Sequence, residues 1–311
     1  MDFALLFVAI GIGVVVGLTG MGGGALMTPA LVLFFGIPPL TAVSSDVVAS
    51  TFMKPAGSWV HMRRGTVNWQ LVKLLVYGSV PAAFAGVVAI RLIGHQEDVQ
   101  HVVKLALGAV LIIASLGLLA RAYLRLREYA MERDGRAAKL PQDRPSVVAR
   151  PMATIAVGAM GGLMVGMTSV GAGSLIIIAL MALYPRLKAS QLVGTDLAQA
   201  VPLVAAAAIA HLAFGDVDWS VALPIILGSI PGAWLGAQLS SRASGGLVRR
   251  ALALVLLASG LKMLGMPNVA TLWMLAGALV GGTLAWGYTR HRLGFDFFVW
   301  QARRAAKKVA P

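Results

Sequence analysis

Long apolar stretches separated by short polar connections fill almost the whole chain, at 3–35, 43–60, 70–93, 103–124, 151–184, 190–213, 219–240, 247–265 and 268–289. Each approaches or exceeds the ~20 residues that an α-helix needs to cross the hydrocarbon core of a bilayer. Two of them, 3–35 and 151–184, are too long for a single crossing, and these two contain glycine clusters, GLTGMGGG at 17–24 and GMTSVGAG at 166–173. A glycine inside a helix costs about 1 kcal/mol against alanine, and several together favour a break. Each long stretch is therefore predicted to be a broken or re-entrant hairpin whose arms return to the side they started from.

The two clusters open two copies of one pattern. Gly17, Thr19, Gly22 and Gly24 are followed by Asp46, His61, Gly65-Thr66-Val67-Asn68-Trp69 and Gly78-Ser79-Val80-Pro81. Gly166, Thr168, Gly171 and Gly173 are followed in the same order by Asp196, His211, Gly215-Asp216-Val217-Asp218-Trp219 and Gly228-Ser229-Ile230-Pro231. Only one extra residue before Asp196 shifts the match. Chance resemblance between apolar helices does not preserve polar positions in this way, so the chain reads as an internal duplication.

Composition agrees with a membrane protein: 58% of the 311 residues are hydrophobic, 12% are charged, and mean hydropathy is +0.82. The formal charge of +14 does not point to nucleic acid, because Lys and Arg gather in short connections and at the C-terminus, where the positive-inside rule places them. The chain has no cysteine, which excludes disulfides, thiolate metal sites and cysteine nucleophiles. Met1-Asp2-Phe3 has no basic region of the kind that opens a cleaved signal.

Charge also orients the copies. The segment 121–150 and the tail from Arg290 to Lys308 carry the strongest basic runs and are expected in the cytoplasm. With both long stretches returning to their own side, Arg63, Arg64, Arg186, Lys188, Arg242, Arg249 and Arg250 fall inside, and Asp216, Asp218 and the N-terminus outside. The matching loops 61–64 and 211–214 then face opposite sides. The expected fold is an all-α polytopic membrane protein of two inverted repeats. Each repeat has a broken or re-entrant helix pair plus three transmembrane helices, and one extra C-terminal helix follows. The expected units are 1–125, a basic linker at 126–150, 151–265, and a final helix with a basic tail at 266–311.

Where broken helices meet near the midplane, their free N–H groups and positive dipole ends can hold an anion without a charged side chain. Thr19, Gly22, Gly23, Gly24, Thr168, Ser169, Gly171 and Gly173 are the candidates for this, with Thr28 and Ser174 as further hydroxyls. The glycines at 158, 162, 166, 232 and 236 read instead as close helix packing. Lys54 lies within an apolar helix, where an ammonium costs roughly 2.5–3.5 kcal/mol and needs a cavity or a partner. Its counterpart in the other copy is Val204, so symmetry does not require it. Asp46, Ser50, Lys54, Gly57 and His61 share one helical face. Asp46 and Lys54 are about 12 Å apart along it, too far to pair. A substrate anion is one partner expected for Lys54; the alternatives are snorkelling to the interface or pairing with Asp196 across the repeat interface. Asp46 and Asp196 read either as helix caps or as carboxylates that carry a proton during transport. Gln199 stands one turn from Asp196. His61 and His211 read as interfacial polar residues first and proton carriers second. Trp69 and Trp219 suit an interfacial belt.

The paired glycine clusters, the loops HMRRGTVNW and HLAFGDVDW, and the helices GSVPAAFAG and GSIPGAWLG together resemble the TauE/SafE sulfite exporter family, also called toluene sulfonate uptake permeases, over roughly residues 5–265. The resemblance implies ion-gradient-coupled transport of sulfur-containing oxyanions and organic anions such as sulfite or sulfonates, in a bacterial cytoplasmic membrane. Where the family often has Gly-Thr-Ser, this chain has Ser-Ser-Asp at 44–46 and Gly-Thr-Asp at 194–196. The expected partners are therefore a small anion and the lipid bilayer, with no nucleic acid and no cofactor, and self-association left open. An anion channel and an intramembrane enzyme are the other classes considered. The chain has no nucleotide-binding glycine loop, no HExxH and no GxSxG.

Overall fold

The computed structural model describes residues 2–19, 23–93, 96–133, 148–171, 173, 175–185, 187, 189–239 and 245–295. Among these the regular structure is entirely helical: α1 (Phe3–Thr19), α2 (Gly24–Phe34), α3 (Pro39–Arg63), α4 (Trp69–Leu92), α5 (Gln96–Arg133), α6 (Pro151–Thr168), α7 (Leu175–Leu183), α8 (Ala189–Phe214), α9 (Trp219–Leu239), α10 (Gly245–Met263) and α11 (Asn268–Arg292). Most of the expected basic linker, the cations Arg186, Lys188 and Arg242, and the tail beyond 295 lie outside the described residues. Six of the described helices, α4, α5, α6, α8, α9 and α11, contain a segment long and apolar enough to cross a membrane. α3 has the length but not the apolarity, because Thr41, Ser44, Ser45, Asp46, Ser50, Lys54 and Ser58 are all placed on it, and all are buried. A helix that polar stays in a bilayer by turning those groups toward protein.

The second long apolar stretch is broken at its glycines, between the end of α6 at Thr168 and the start of α7 at Leu175; in the first, α1 closes at Thr19 and α2 opens at Gly24, and residues 20–22 lie outside the described residues. At the second break Ser169 adopts a left-handed conformation with φ 58°, and Gly171 and Gly173 follow at φ 135° and 106°. Residues with a Cβ rarely take such angles, so the glycines let the chain leave the helix here. Pro39 starts α3 at the first helical position, where its missing N–H would have had no partner. Asp46 and Asp196 therefore lie about two turns inside α3 and α8 rather than at their starts, which corrects the capping reading for both.

Close glycine contacts show how the helices run. A Cβ at Gly228, Gly232 or Gly236 would strike the backbone at Leu6, Ile10 or Val14 in turn, so α1 and α9 run parallel. A Cβ at Gly158, Gly162 or Gly166 would strike Leu75, Ser79 or Ala83, so α4 and α6 run parallel as well. α3 and α8 cross in opposite directions, with Ser44 meeting His211 and the Thr51 hydroxyl reaching Val204 O. α5 and α10 are also antiparallel, joined by a Ser115 hydroxyl on Ala253 O and by Gly108 against Gly260. Lipid tails are as apolar as leucine, so such close backbone approaches, more than apolar burial, hold membrane helices together.

The main core cluster gathers Val43, Val47 and Val48 of α3, Leu107 and Leu111 of α5, Val165 of α6, Leu203 and Ala207 of α8, and Leu256 of α10. α11 packs only lightly, against α10, where the Arg250 guanidinium lies 4.7 Å from the centroid of the Trp286 ring. Most of its length is exposed, in line with a peripheral helix. Trp69 and Trp219 open α4 and α9, and both rings are exposed.

A buried carboxylate and ammonium where the helix breaks meet

The break of the second long stretch touches the start of the short helix in the first. A Cβ on Gly24 would collide with the Ser169 carbonyl, so only glycine allows α2 to begin against the end of α6. Against this contact sits Asp46 of α3. Its Oδ2 accepts a hydrogen bond from the Thr28 hydroxyl at 2.9 Å and one from the Ser169 hydroxyl at 2.7 Å. Asp46 is 2% exposed. Gly23 caps α2, and its carbonyl accepts from the N–H groups of Leu26 and Met27.

The second carboxylate has a different set of partners. Asp196 Oδ1 accepts from the Gln199 amide at 3.1 Å, and Gln199 Oε1 accepts from the Ser79 hydroxyl at 3.2 Å. All three side chains are buried. Lys54 is buried too, and the charges that act on it are Asp196 first and Asp46 second. Desolvating an ammonium costs several kcal/mol unless it has a counter-charge, and the two carboxylates supply that counter-charge from both halves of the chain.

Other sequence candidates have structural work. The Thr168 hydroxyl donates to Met164 O at 2.6 Å and accepts from the Val170 N–H at 3.2 Å. His211, near the end of α8, is fully buried by protein. Its Nε2 lies 2.8 Å from Gly166 O and its Nδ1 2.9 Å from the Ser44 hydroxyl. A carbonyl only accepts, so Nε2 carries the proton. Ser44 accepts from the Asp216 N–H at 3.2 Å and is free to donate to Nδ1. A neutral imidazole thus ties α8 to a carbonyl near the end of α6 that has lost its helical partner. His61 is half-buried, and its Nδ1 lies 2.9 Å from the Thr66 hydroxyl, which itself donates to His61 O. Gly171 and Gly173 form the turn after Ser169. Thr19 closes α1, but its side chain, with Gly22 and Ser174, lies outside the described residues.

Two features of this centre are not readable from the sequence patterns. Ser44 precedes Asp46 by two positions, yet its role as the partner of His211 depends on the crossing of α3 and α8. Ser229 of α9 lines a small cavity with Asp46, Ser50 and Gly23. Its membership in the repeated Gly-Ser-Ile-Pro segment is the one signal that marks it.

Asp46, Lys54 and Asp196 are thus buried charged groups on the two helices that cross, α3 and α8. The chain matches the sulfite exporter TauE/SafE family over residues 5–263. It belongs to that family. Among relatives, a probable membrane transporter protein of Bacillus subtilis, YjnA, is 38% identical over 266 residues, covering 85% of this chain and all of the relative. A probable membrane transporter protein of Xylella fastidiosa is 29% identical over 265 residues, covering 83% of this chain and 94% of its own. A second Bacillus subtilis protein of that description, YdhB, is 23% identical over 230 residues, 74% of this chain and 86% of its own. No solved structure shows a significant match. As a member of the TauE/SafE family the chain is a multi-pass membrane protein of a transporter family.

Proposed function

We propose that this protein is a secondary transporter that carries a small sulfur-containing oxyanion or organic anion, of the sulfite or sulfonate type, by alternating access. The observation that carries the reading is Lys54: a buried ammonium on α3, the helix that crosses α8, acted on by a carboxylate from each half. An anion entering that centre would exchange one counter-charge of Lys54 for another.

Two halves of opposite polarity support the alternating mechanism. α1 runs parallel to α9 and α4 to α6, while α3 opposes α8. Matching contacts recur in both halves: the Asp218 N–H donates to the Ser45 hydroxyl, and the Asn68 N–H to the Thr195 hydroxyl. Gly13 lies against Ser229 as Gly162 lies against Ser79. On this reading the two halves rock around the Lys54 centre. Charge distribution then places the N-terminus outside and the basic tail in the cytoplasm of a bacterial cell.

Coupling to an ion follows from the charge count. With both carboxylates ionised, two carboxylates and one ammonium give an excess of negative charge, so a further anion is repelled unless a cation or a proton accompanies it. Proteoliposome uptake and efflux of labelled sulfite and simple sulfonates, with imposed proton and sodium gradients, test the function. Transport is expected, with Lys54→Ala raising KM roughly tenfold or more as a buried charged contact is lost. Failure to move any of these anions overturns the substrate class. Counterflow of labelled anion separates a carrier, which exchanges, from a channel, which does not.

A further inference from the structure

Beside Asp46 lies a cavity of about 10 Å³, enough for a single water-sized sphere, walled by Gly13 and Val16 of α1, Gly23 before α2, Asp46 and Ser50 of α3, and Ser229 of α9. Its polar side chains are Asp46, Ser50 and Ser229, all 2% exposed. The Ser50 hydroxyl is buried with no hydrogen-bond partner among the described residues. A helical serine ordinarily meets its needs at the carbonyl one turn back, as the neighbouring Thr51 does on Val47 O at 3.1 Å. Ser50 has left that option and stands one turn from Asp46, whose hydrogen bonds from Thr28 and Ser169 both fall on Oδ2.

We propose that Asp46, Ser50 and Ser229 form a binding site for one dehydrated sodium ion, the coupling cation of the transport cycle. The identification rests on the transport reading for its role in coupling, but the site itself does not. An oxyanion is too large for the cavity and would meet a carboxylate there. Asp46 accepts two hydroxyl donors, both on Oδ2. A small cation needs oxygen ligands, and it would take up the Asp46 charge and the orphaned Ser50 oxygen together. α1 ends beside the cavity, with Val16 on its last turn and on the wall, so the negative end of the α1 dipole adds to the attraction. The charged side chain that acts on Asp46 is Lys54, two turns further along α3.

The test uses purified full-length protein in detergent, without substrate, at fixed pH and ionic strength, with sodium chloride replaced stepwise by choline chloride. Sodium is expected to raise the thermal midpoint and to bind measurably by calorimetry, with potassium weaker. Ser50→Ala and Asp46→Asn are expected to weaken sodium binding by roughly tenfold or more, the loss of one ligand to a buried cation. Gly281→Ala, on α11 with open space around it, keeps the response and controls for handling. A folded Ser50→Ala variant that binds sodium as wild type overturns the site. So does a thermal midpoint that follows pH through Asp46 and ignores sodium, or one indifferent to both. Sodium binding without transport of sulfite or sulfonate would leave the site standing and remove the transport reading. Transport without any sodium response would do the reverse.

Discussion

At the scale of single residues the buried polar groups divide by what their partners leave free. His211 has both ring nitrogens engaged and joins three segments, so it acts as a fastener. His211→Ala should lower stability by about 1–3 kcal/mol, because Gly166 O is left unsatisfied in the interior. Thermal unfolding in detergent checks this, and a variant of wild-type stability whose transport loses its pH dependence would identify a proton carrier instead. Lys54 and Asp196 should be coupled. Either Lys54→Met or Asp196→Asn alone leaves a buried charge short of its counter-charge, so the double variant is expected to be less destabilised than the two single losses added together. A double-mutant cycle on thermal midpoints measures the difference. Much of this scale is legible in the chain: the shared face of Asp46, Ser50 and Lys54 follows from helical spacing, and the cost of an ammonium in an apolar helix marks Lys54. Neither spacing nor cost reveals which helix crosses α3, so the Ser44–His211 link and the Ser229 wall appear only with the fold. The burial of His211 is hidden for the same reason: position along a helix does not report what packs beside it.

At the scale of elements the glycines have two separate uses. Gly171 and Gly173 lie where the second long stretch leaves its helix, and that position is readable because an apolar run too long for one crossing has to turn somewhere, and clustered glycines are where a helix yields most cheaply. Gly162 and Gly232 instead let α6 meet α4 and α9 meet α1 without a side chain between the backbones. Gly162→Val or Gly232→Val should destabilise the protein by about 1–3 kcal/mol or more, since the backbones must separate. Gly277→Val and Gly281→Val in α11 meet no atom within 4 Å and should leave the thermal midpoint of the isolated protein within about 0.5 kcal/mol of wild type. The sequence recommends close packing for the first pair, but nothing in a glycine spacing names its partner helix. The starts of α3 and α8 also lie earlier than the apolar stretches suggest, because residues 39–42 and 189 belong to helical turns whose neighbours a hydrophobic run does not show.

At the scale of the whole molecule the absence of cysteine in the sequence makes polarity directly measurable. Single cysteines at Arg64 and Ser220, both exposed at matching ends of the two halves, should react from opposite sides of the membrane. A membrane-impermeant maleimide applied to intact cells is expected to label Ser220→Cys and to reach Arg64→Cys only after permeabilisation. Labelling of both from one side would rule out halves of opposite polarity.

The parallel pairing of α1 with α9 has a consequence for biosynthesis. The opening helix of the chain emerges from the ribosome long before the strip of Gly228, Gly232 and Gly236 that will receive it. Until that strip is made, α1 has no seat, and it must wait at the translocon or in the care of an insertion factor. Assembly of this protein is therefore completed from its far end, and in a nascent chain that stalls before α9 the first helix should lack the protein contacts that Gly228, Gly232 and Gly236 give it.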